Sequence, residues 1–247
     1  MSKFCANLTM LFTELPFLDR FGAAKSAGFG GVEVLFPYDV AVPDMAHMLA
    51  RNDLPLVLIN CPPPNYTGGA RGFAAVAGSR FRSDFKRALR YAKALGAQHL
   101  HIMAGAAQGP EAKTVFVENL RWAAAQAPDQ SLTIEPINQD DMPGYFLSDF
   151  DLAADVIAAV GAPNLGLQFD AYHAQKITGD VAGTWARMAG SVVHIQVAQT
   201  PDRTAPDQSD IDYAAFFAAV DASGYTGWIS AEYTPTTQTE QSLSWLT

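Results

Sequence analysis

Cysteine is nearly absent from this 247-residue chain: Cys5 and Cys61 are its whole complement, each inside a strand-like run. Two cysteines without CxxC or Cys/His spacing exclude a disulfide framework and a zinc-ribbon type of site. They leave reduced core thiols as the expectation, in keeping with a cytoplasmic protein. Long apolar runs are missing too. No stretch approaches the ~20 residues that span a bilayer, and the N-terminal MSKFCANLTMLFTELPF lacks the uninterrupted apolar segment of a secretory signal. Charge is sparse, at 17% of residues, and tilted: 16 Lys and Arg against 25 Asp and Glu leave a net −9. Arg80, Arg82, Lys86, Arg87 and Arg90 fall at helical spacing, as on a solvated helix face. Neither a membrane nor a nucleic acid is therefore the expected partner.

What is present is alternation. Strand-like runs occupy residues 4–10, 31–36, 55–61, 99–105, 132–137, 165–170, 192–198 and 227–233. Between and after them, segments of helical periodicity cover 17–28, 42–53, 83–96, 115–127, 148–161, 181–190, 211–224 and 239–246. Gly28 and Gly96 act as stop signals, and Pro43 sits early, where a helix tolerates it. Strands apolar on both faces suit a parallel sheet covered by helices. A doubly wound open sheet would accommodate the same alternation, but no glycine-rich phosphate loop follows the first strand. Eight strands, eight helices and no composition break over 1–247 predict a single-domain (β/α)8 TIM barrel, a fold of ~250 residues.

Polar residues interrupt these strands at one end. Glu135, Asp170, Gln196 and Glu232 recur at spacings of 35, 26 and 36 residues, at or just before the strand ends. Asn7, Glu33, Asn60 and His101 hold comparable positions in the first four strands. In a barrel these C-terminal ends form the active-site rim. A buried carboxylate costs several kcal/mol unless it is paired or bound to a cation. Four converging oxygen donors suit a hard divalent cation, Mg2+ or Mn2+. Asp170 could equally cap the following turn, and Gln196 could be a hydrogen-bonding core glutamine.

Several long motifs resemble the hydroxypyruvate isomerase family of the xylose-isomerase-like barrels. They are FCANLTMLFTELPFLDRF (4–21), VEVLFPYD (32–39), HIMAG (101–105), IEPINQDDMPGYFL (134–147), LQFDAYHAQ (167–175), HIQVAQTPDR (194–203) and GYTGWISAEYTP (224–235). The resemblance implies an aldose–ketose isomerisation in which hydroxypyruvate interconverts with 2-hydroxy-3-oxopropanoate (tartronate semialdehyde) through an enediolate. By the same resemblance Glu135 and Glu232 are metal ligands that also move protons, and Asp170 and Gln196 are further ligands. A divalent cation would stabilise the charge left on the carbonyl oxygen.

His173 is then expected to contact a substrate oxygen, and His101 and Asn7 to line the site. His194 is expected to divide between site and core. Arg203 is the candidate for clamping the substrate carboxylate through its two parallel donors, with Lys176 as a competitor. Three rim loops depart from the family pattern. Gln199 stands for a glycine, Arg203-Thr204-Ala205-Pro206-Asp207 for Arg-His-Glu-Pro-Asp, and Thr234 for a lysine; GARG (69–72) also lacks an acid before its arginine. These changes leave the substrate open between hydroxypyruvate, a 2-oxo-tetronate and a sugar for 3-epimerisation. An endonuclease-type hydrolase and an idle barrel that binds a small sugar acid are the remaining readings. The partner expected is a small molecule, and a homo-oligomer is compatible with the fold.

Overall fold

The computed structural model describes residues 2–62, 71–207 and 209–246; Gly69 and Ala70 of the GARG segment lie outside them. Eight strands run parallel: β1 (Lys3–Asn7), β2 (Gly31–Glu33), β3 (Leu58–Asn60), β4 (His99–His101), β5 (Ser131–Ile134), β6 (Leu165–Asp170), β7 (Val192–Val197) and β8 (Trp228–Ala231). The ladder runs β2-β1-β8-β7-β6-β5-β4-β3. Backbone bonds then close the seam between β2 and β3. The Val57 N–H donates to Val32 O at 2.7 Å, Val34 N–H to Leu58 O at 3.1 Å, and Asn60 N–H to Leu35 O at 2.8 Å. The expected single-domain barrel is the fold observed.

Around it lie α1 (Arg20–Ser26), α2 (Val42–Asn52), α3 (Arg80–Leu95), α4 (Pro110–Gln126), α5 (Phe150–Val160), α6 (Ala171–Thr178), α7 (Val181–Met188) and α8 (Tyr213–Ala222). Their ends follow local chemistry. The Asp149 carboxylate accepts the Leu152 N–H at the start of α5. Gly96 ends α3 in the left-handed region at φ 66°. Phe81, Phe85, Ala88, Ala92 and Leu95 form the buried face of α3, while Arg80, Arg82, Lys86, Arg87 and Arg90 are exposed, as a solvated face requires.

Two expectations need correction. The segment 239–246 is two 3-10 turns, Thr239–Ser242 and Ser244–Leu246, not an α-helix. The eighth helix is instead α6, which starts without any loop at the end of β6. The cause is local: Asp170 Oδ1 accepts the Tyr172 N–H at 2.8 Å, and Gly179 ends the helix at φ 70°. Most strands are also shorter than their apolar runs.

The main apolar core lies between barrel and helices, where Phe169 stacks on Phe216 at 5.9 Å and meets Trp185 edge-on at 5.4 Å. Inside the barrel the apolar material is a small separate cluster of Cys5, Val57 and Leu58, with Trp228 against it. Burial pushes both thiols up, so Cys5 and Cys61 stay protonated. The rest of the lumen is polar. Asn7, Glu33, His101, Thr133, Gln168, Asp170, His194, Gln196 and Ser230 are each at most 1% exposed. A lumen of that composition cannot be explained by packing, since barrels ordinarily fill it with branched apolar residues. Among the described residues no helix is long and apolar enough to cross a membrane.

Candidate active site

Glu135 and Glu232 each stand one residue beyond their strands, β5 and β8, where the chain turns from ladder to loop. Both line a cavity at the C-terminal end of the barrel, together with His173, Arg203, Asn60 and Arg71. Asp170 lies at the edge of this group. Its Oδ2 accepts from Arg203 Nη2 at 2.9 Å, and the same nitrogen meets Glu232 Oε1 at 3.1 Å. Asp170 is thus both the helix cap and a site carboxylate, one oxygen serving each purpose.

Arg203 is placed by the loop after β7. Gln199 and Thr204 pair across that loop, and Arg203 takes the left-handed φ of 55°. That conformation is uncommon and strained for a residue with a Cβ. Gln199 stabilises the loop with a saturated amide. Its Nε2 donates to the Asp207 and Ile211 carbonyls and to Asp207 Oδ1, and its Oε1 accepts the Thr200 and Ile211 N–H groups. The guanidinium also sits over the Tyr172 ring at 5.0 Å.

The hydrogen-bond network fixes the histidine tautomers. Asn138 Nδ2 donates to His173 Nδ1 at 2.7 Å, so the imidazole proton resides on Nε2. That N–H faces Asp170 at 3.6 Å and Glu135 at 3.8 Å. His173 is therefore a donor toward the site. His101 is the converse: Nδ1 meets Asn60 Oδ1 at 3.1 Å, and Nε2, without a hydrogen-bond partner, lies 3.6 Å from Glu135 Oε2.

Below this layer lies a second one. Gln168 Nε2 donates to Gln196 Oε1 at 2.7 Å and to Glu135 Oε2 at 3.2 Å. Gln196 Nε2 donates to Glu33 Oε1 at 2.9 Å, and Asn7 Nδ2 to the same oxygen at 2.8 Å. His194 Nε2 meets Glu33 Oε2 at 2.8 Å. Asn7, expected at the substrate, is thus a partner of Glu33 and lies outside the cavity lining, with its Oδ1 taken by the Thr9 N–H. His194 belongs to the same layer. Gln168 completes this layer without having been singled out in the sequence, and Glu33 was expected only as a polar residue at the rim. Period-two alternation back from Asp170 finds Gln168, and Glu33 is found by lying opposite Asn7 in the β1–β2 register.

The electrostatics follow from this burial. Glu135 is pushed well above the usual carboxylate range by burial first, then by Glu232 and Asp170. Burial likewise raises Glu232 against the pull of Arg203, and raises Asp170 against Arg203 and the backbone N–H groups at its helix cap. For Arg203, Glu232 and Asp170 outweigh burial and hold the guanidinium charged. Burial depresses His173 well below its normal value and takes His101 and His99 down to about 3, with His194 adding to the last two.

The histidine shifts carry a stability prediction. A depressed histidine stabilises the fold above its unfolded pKa of about 6.5, and that contribution is lost as pH falls toward about 3. For His99 this amounts to about 2 kcal/mol between pH 7 and pH 5. His99→Gln should therefore shrink the fall in urea midpoint over that interval. An unchanged fall would assign the acid sensitivity elsewhere.

The arrangement fits a hard cation. Glu135, Asp170 and His173 carry candidate ligand atoms within 4.8 Å of one another. Asp170 and Glu232 already converge on the positive charge of one guanidinium nitrogen. Glu232 Oε2 is buried without a hydrogen-bond partner. Oxygen dominates the donor set, as Mg2+ or Mn2+ requires. The tautomer of His173 favours the oxygen groups over its imidazole.

Comparison with known proteins agrees with this barrel and its rim. Residues 21–247 match the model of the xylose isomerase-like TIM barrel family, and the chain belongs to that family. Its curated relatives are isomerases. A 2-oxo-tetronate isomerase of Cupriavidus necator is 42% identical over 100% of this chain and 98% of its own length. The hydroxypyruvate isomerase of Escherichia coli is 39% identical over the same shares. The chain is an isomerase of the hydroxypyruvate isomerase type. A solved structure from Brucella melitensis, described as an AP endonuclease of family 2, superimposes with a TM-score of 0.96 at 41% identity, covering 100% of this chain and 98% of that one. An L-ribulose 3-epimerase at 20% identity, with a TM-score of 0.79 over 99% of this chain and 85% of its own, shares the fold.

Proposed function

We propose that the enzyme moves a proton between C3 and C2 of a short 2-oxo-3-hydroxy acid, interconverting hydroxypyruvate and 2-hydroxy-3-oxopropanoate. The observation that carries this reading is the placement of Glu135 and Glu232 on one cavity, both buried and both raised in pKa. A carboxyl group raised above the usual carboxylate range is better able to hold an abstracted proton and hand it back. One glutamate removes the C3 proton, and the electron pair moves through the enediolate to the C2 oxygen. Proton return at C2, with transfer of the O3 proton to O2, leaves the carbonyl at C3. The Nε2–H of His173 is placed to donate to a substrate oxygen, and the neutral His101 to keep the Glu135 carboxyl oriented. Arg203 holds Asp170 and Glu232 in place.

Glu135, Asp170, Gln196 and Glu232 would hold a divalent cation, Mg2+ or Mn2+. When bound, it supplies Lewis-acid stabilisation of the charge on the carbonyl oxygen. Gln196 would join them only by turning its Oε1 away from Gln168 Nε2, from which it accepts at 2.7 Å. EDTA treatment should abolish activity, and Mn2+ or Mg2+ should restore it. Full activity in verified metal-free protein would remove the cation from the mechanism.

A 2-oxo-tetronate, one carbon longer, presents the same reacting atoms, and relatives named for the two substrates are 42% and 39% identical to this chain. Steady-state rates on both acids, followed by NMR, separate the two. A hydrolase reading is disfavoured by the metal-capable group, which holds one histidine among the described residues rather than the several typical of zinc hydrolases.

A further inference from the structure

An anionic substrate needs a cation in a cavity rich in acids, and the cations near the reacting carboxylates are already committed. Arg203 Nη2 is shared by Asp170 and Glu232. Lys176 pairs with Asp140 at 3.1 Å and with Asp141 at 3.7 Å. Arg71 also lines the cavity, and among the described residues no carboxylate lies within ion-pair distance of it. The neighbouring stretch 63–70 contains no acidic residue either.

Arg71 is built into place. Its guanidinium lies over the Phe36 ring, 5.1 Å from the centroid. The next residue, Gly72, pairs with Ala104 just beyond β4. Both Gly72 and Gly105 have positive φ, 81° and 86°. A Cβ on Gly72 would lie 2.2 Å from Met103 O, and one on Gly105 would lie 2.3 Å from Gly72 O. Only a pair of glycines lets the two backbones approach so closely. The strap continues with the Ala75 N–H on Ala104 O at 2.8 Å and Asn119 Nδ2 on Ala74 O at 2.9 Å. Such precision beneath a cavity-lining arginine exceeds what a solvated side chain requires.

We infer that Arg71 binds the C1 carboxylate of the substrate and selects acids over neutral sugars. The inference rests on the proposed reaction of a 2-oxo-3-hydroxy acid. It gives Arg71 the contact that the sequence suggested for Arg203. A planar guanidinium offers two parallel N–H donors to a carboxylate, and stacking on Phe36 limits the rotamers it loses on binding.

Binding of D-glycerate, which has the carboxylate and hydroxyls but no carbonyl to react, tests this without turnover. Calorimetry on the Mn2+-loaded enzyme should show Arg71→Gln weakening D-glycerate about 10- to 100-fold, with Arg71→Lys recovering part of the loss. Equal affinity in wild type and Arg71→Gln overturns the assignment, whether or not either acid is turned over. In kinetics, Arg71→Gln should raise KM for hydroxypyruvate by a similar factor while changing kcat little, and should leave kcat/KM for dihydroxyacetone within about twofold. An equal loss on dihydroxyacetone would make Arg71 a general wall residue and overturn the carboxylate role. Failure of the wild type on every acid, with Arg71-dependent glycerate binding intact, would instead remove the proposed reaction.

Discussion

Glu135→Gln and Glu232→Gln should each lower kcat by about 10²- to 10⁴-fold, the range that a positioned acid or base contributes. Glutamine keeps shape and polarity and loses only the titratable proton. Folding should not suffer in metal-free Glu135→Gln. Both carboxyl groups are raised by burial, so their ionised forms are opposed by the fold. A group with a raised folded pKa stabilises below its unfolded value of about 4.3, and that contribution is lost as pH rises through the folded value. Removing Glu135 should leave the urea midpoint at pH 7 equal or higher, whereas Glu232→Gln also gives up the ion pair with Arg203 and should lower it. Cation affinity, measured by calorimetry, should fall as well, so rates are to be compared at saturating Mn2+. Near-normal kcat in either fully loaded variant would contradict its role in proton transfer.

Arg203→Met should produce the largest loss of stability. One guanidinium nitrogen lies within 3.1 Å of both Asp170 and Glu232, and its side chain is 22% exposed. Removing one partner of a mostly buried ion pair leaves its carboxylates uncompensated, at a cost of about 3–5 kcal/mol that partial exposure reduces. The expected outcome is a fall of about 2–4 kcal/mol in urea unfolding of the metal-free protein at pH 7. Mn2+ should reverse much of it, because a cation would neutralise the same oxygens. A variant as stable as wild type, or one that Mn2+ does not rescue, would show that Arg203 does not organise the carboxylates.

The barrel was legible in the sequence because eight apolar runs separate eight helical periods, and parallel strands covered on both sides must be apolar throughout. The strand ends were less so. The runs at 132–137 and 227–233 continue past the last ladder residues, Ile134 and Ala231, since an apolar residue such as Ile137 packs in a loop as readily as in a strand. Helix α6 escaped because nothing separates it from β6. The short polar segment AYHAQKIT has little helical periodicity of its own and depends on Asp170 for its start. At the site, Glu135 and Glu232 from strand ends, His173 just after β6 and Arg203 in the loop after β7 come together on the cavity. Asn7 does not, because its amide is drawn to the buried Glu33. That pairing joins neighbouring strands in a register, Asn7 opposite Glu33, that a linear reading does not reveal. Arg71 was passed over for a related reason: its significance lies in the crossing of two loops at Gly72 and Gly105.

The most direct test of the account is solvent exchange followed by NMR. The Mn2+-loaded enzyme would be incubated in D2O with hydroxypyruvate or a 2-oxo-tetronate and then stripped of paramagnetic ion before spectra are taken. Proton abstraction next to the carbonyl predicts loss of the C3 proton signal on at least one of these acids, dependent on both Glu135 and the cation. Product carrying the substrate's own C3 hydrogen at C2, with no deuterium from solvent on either acid, would indicate a direct hydride shift and contradict proton transfer through an enediolate.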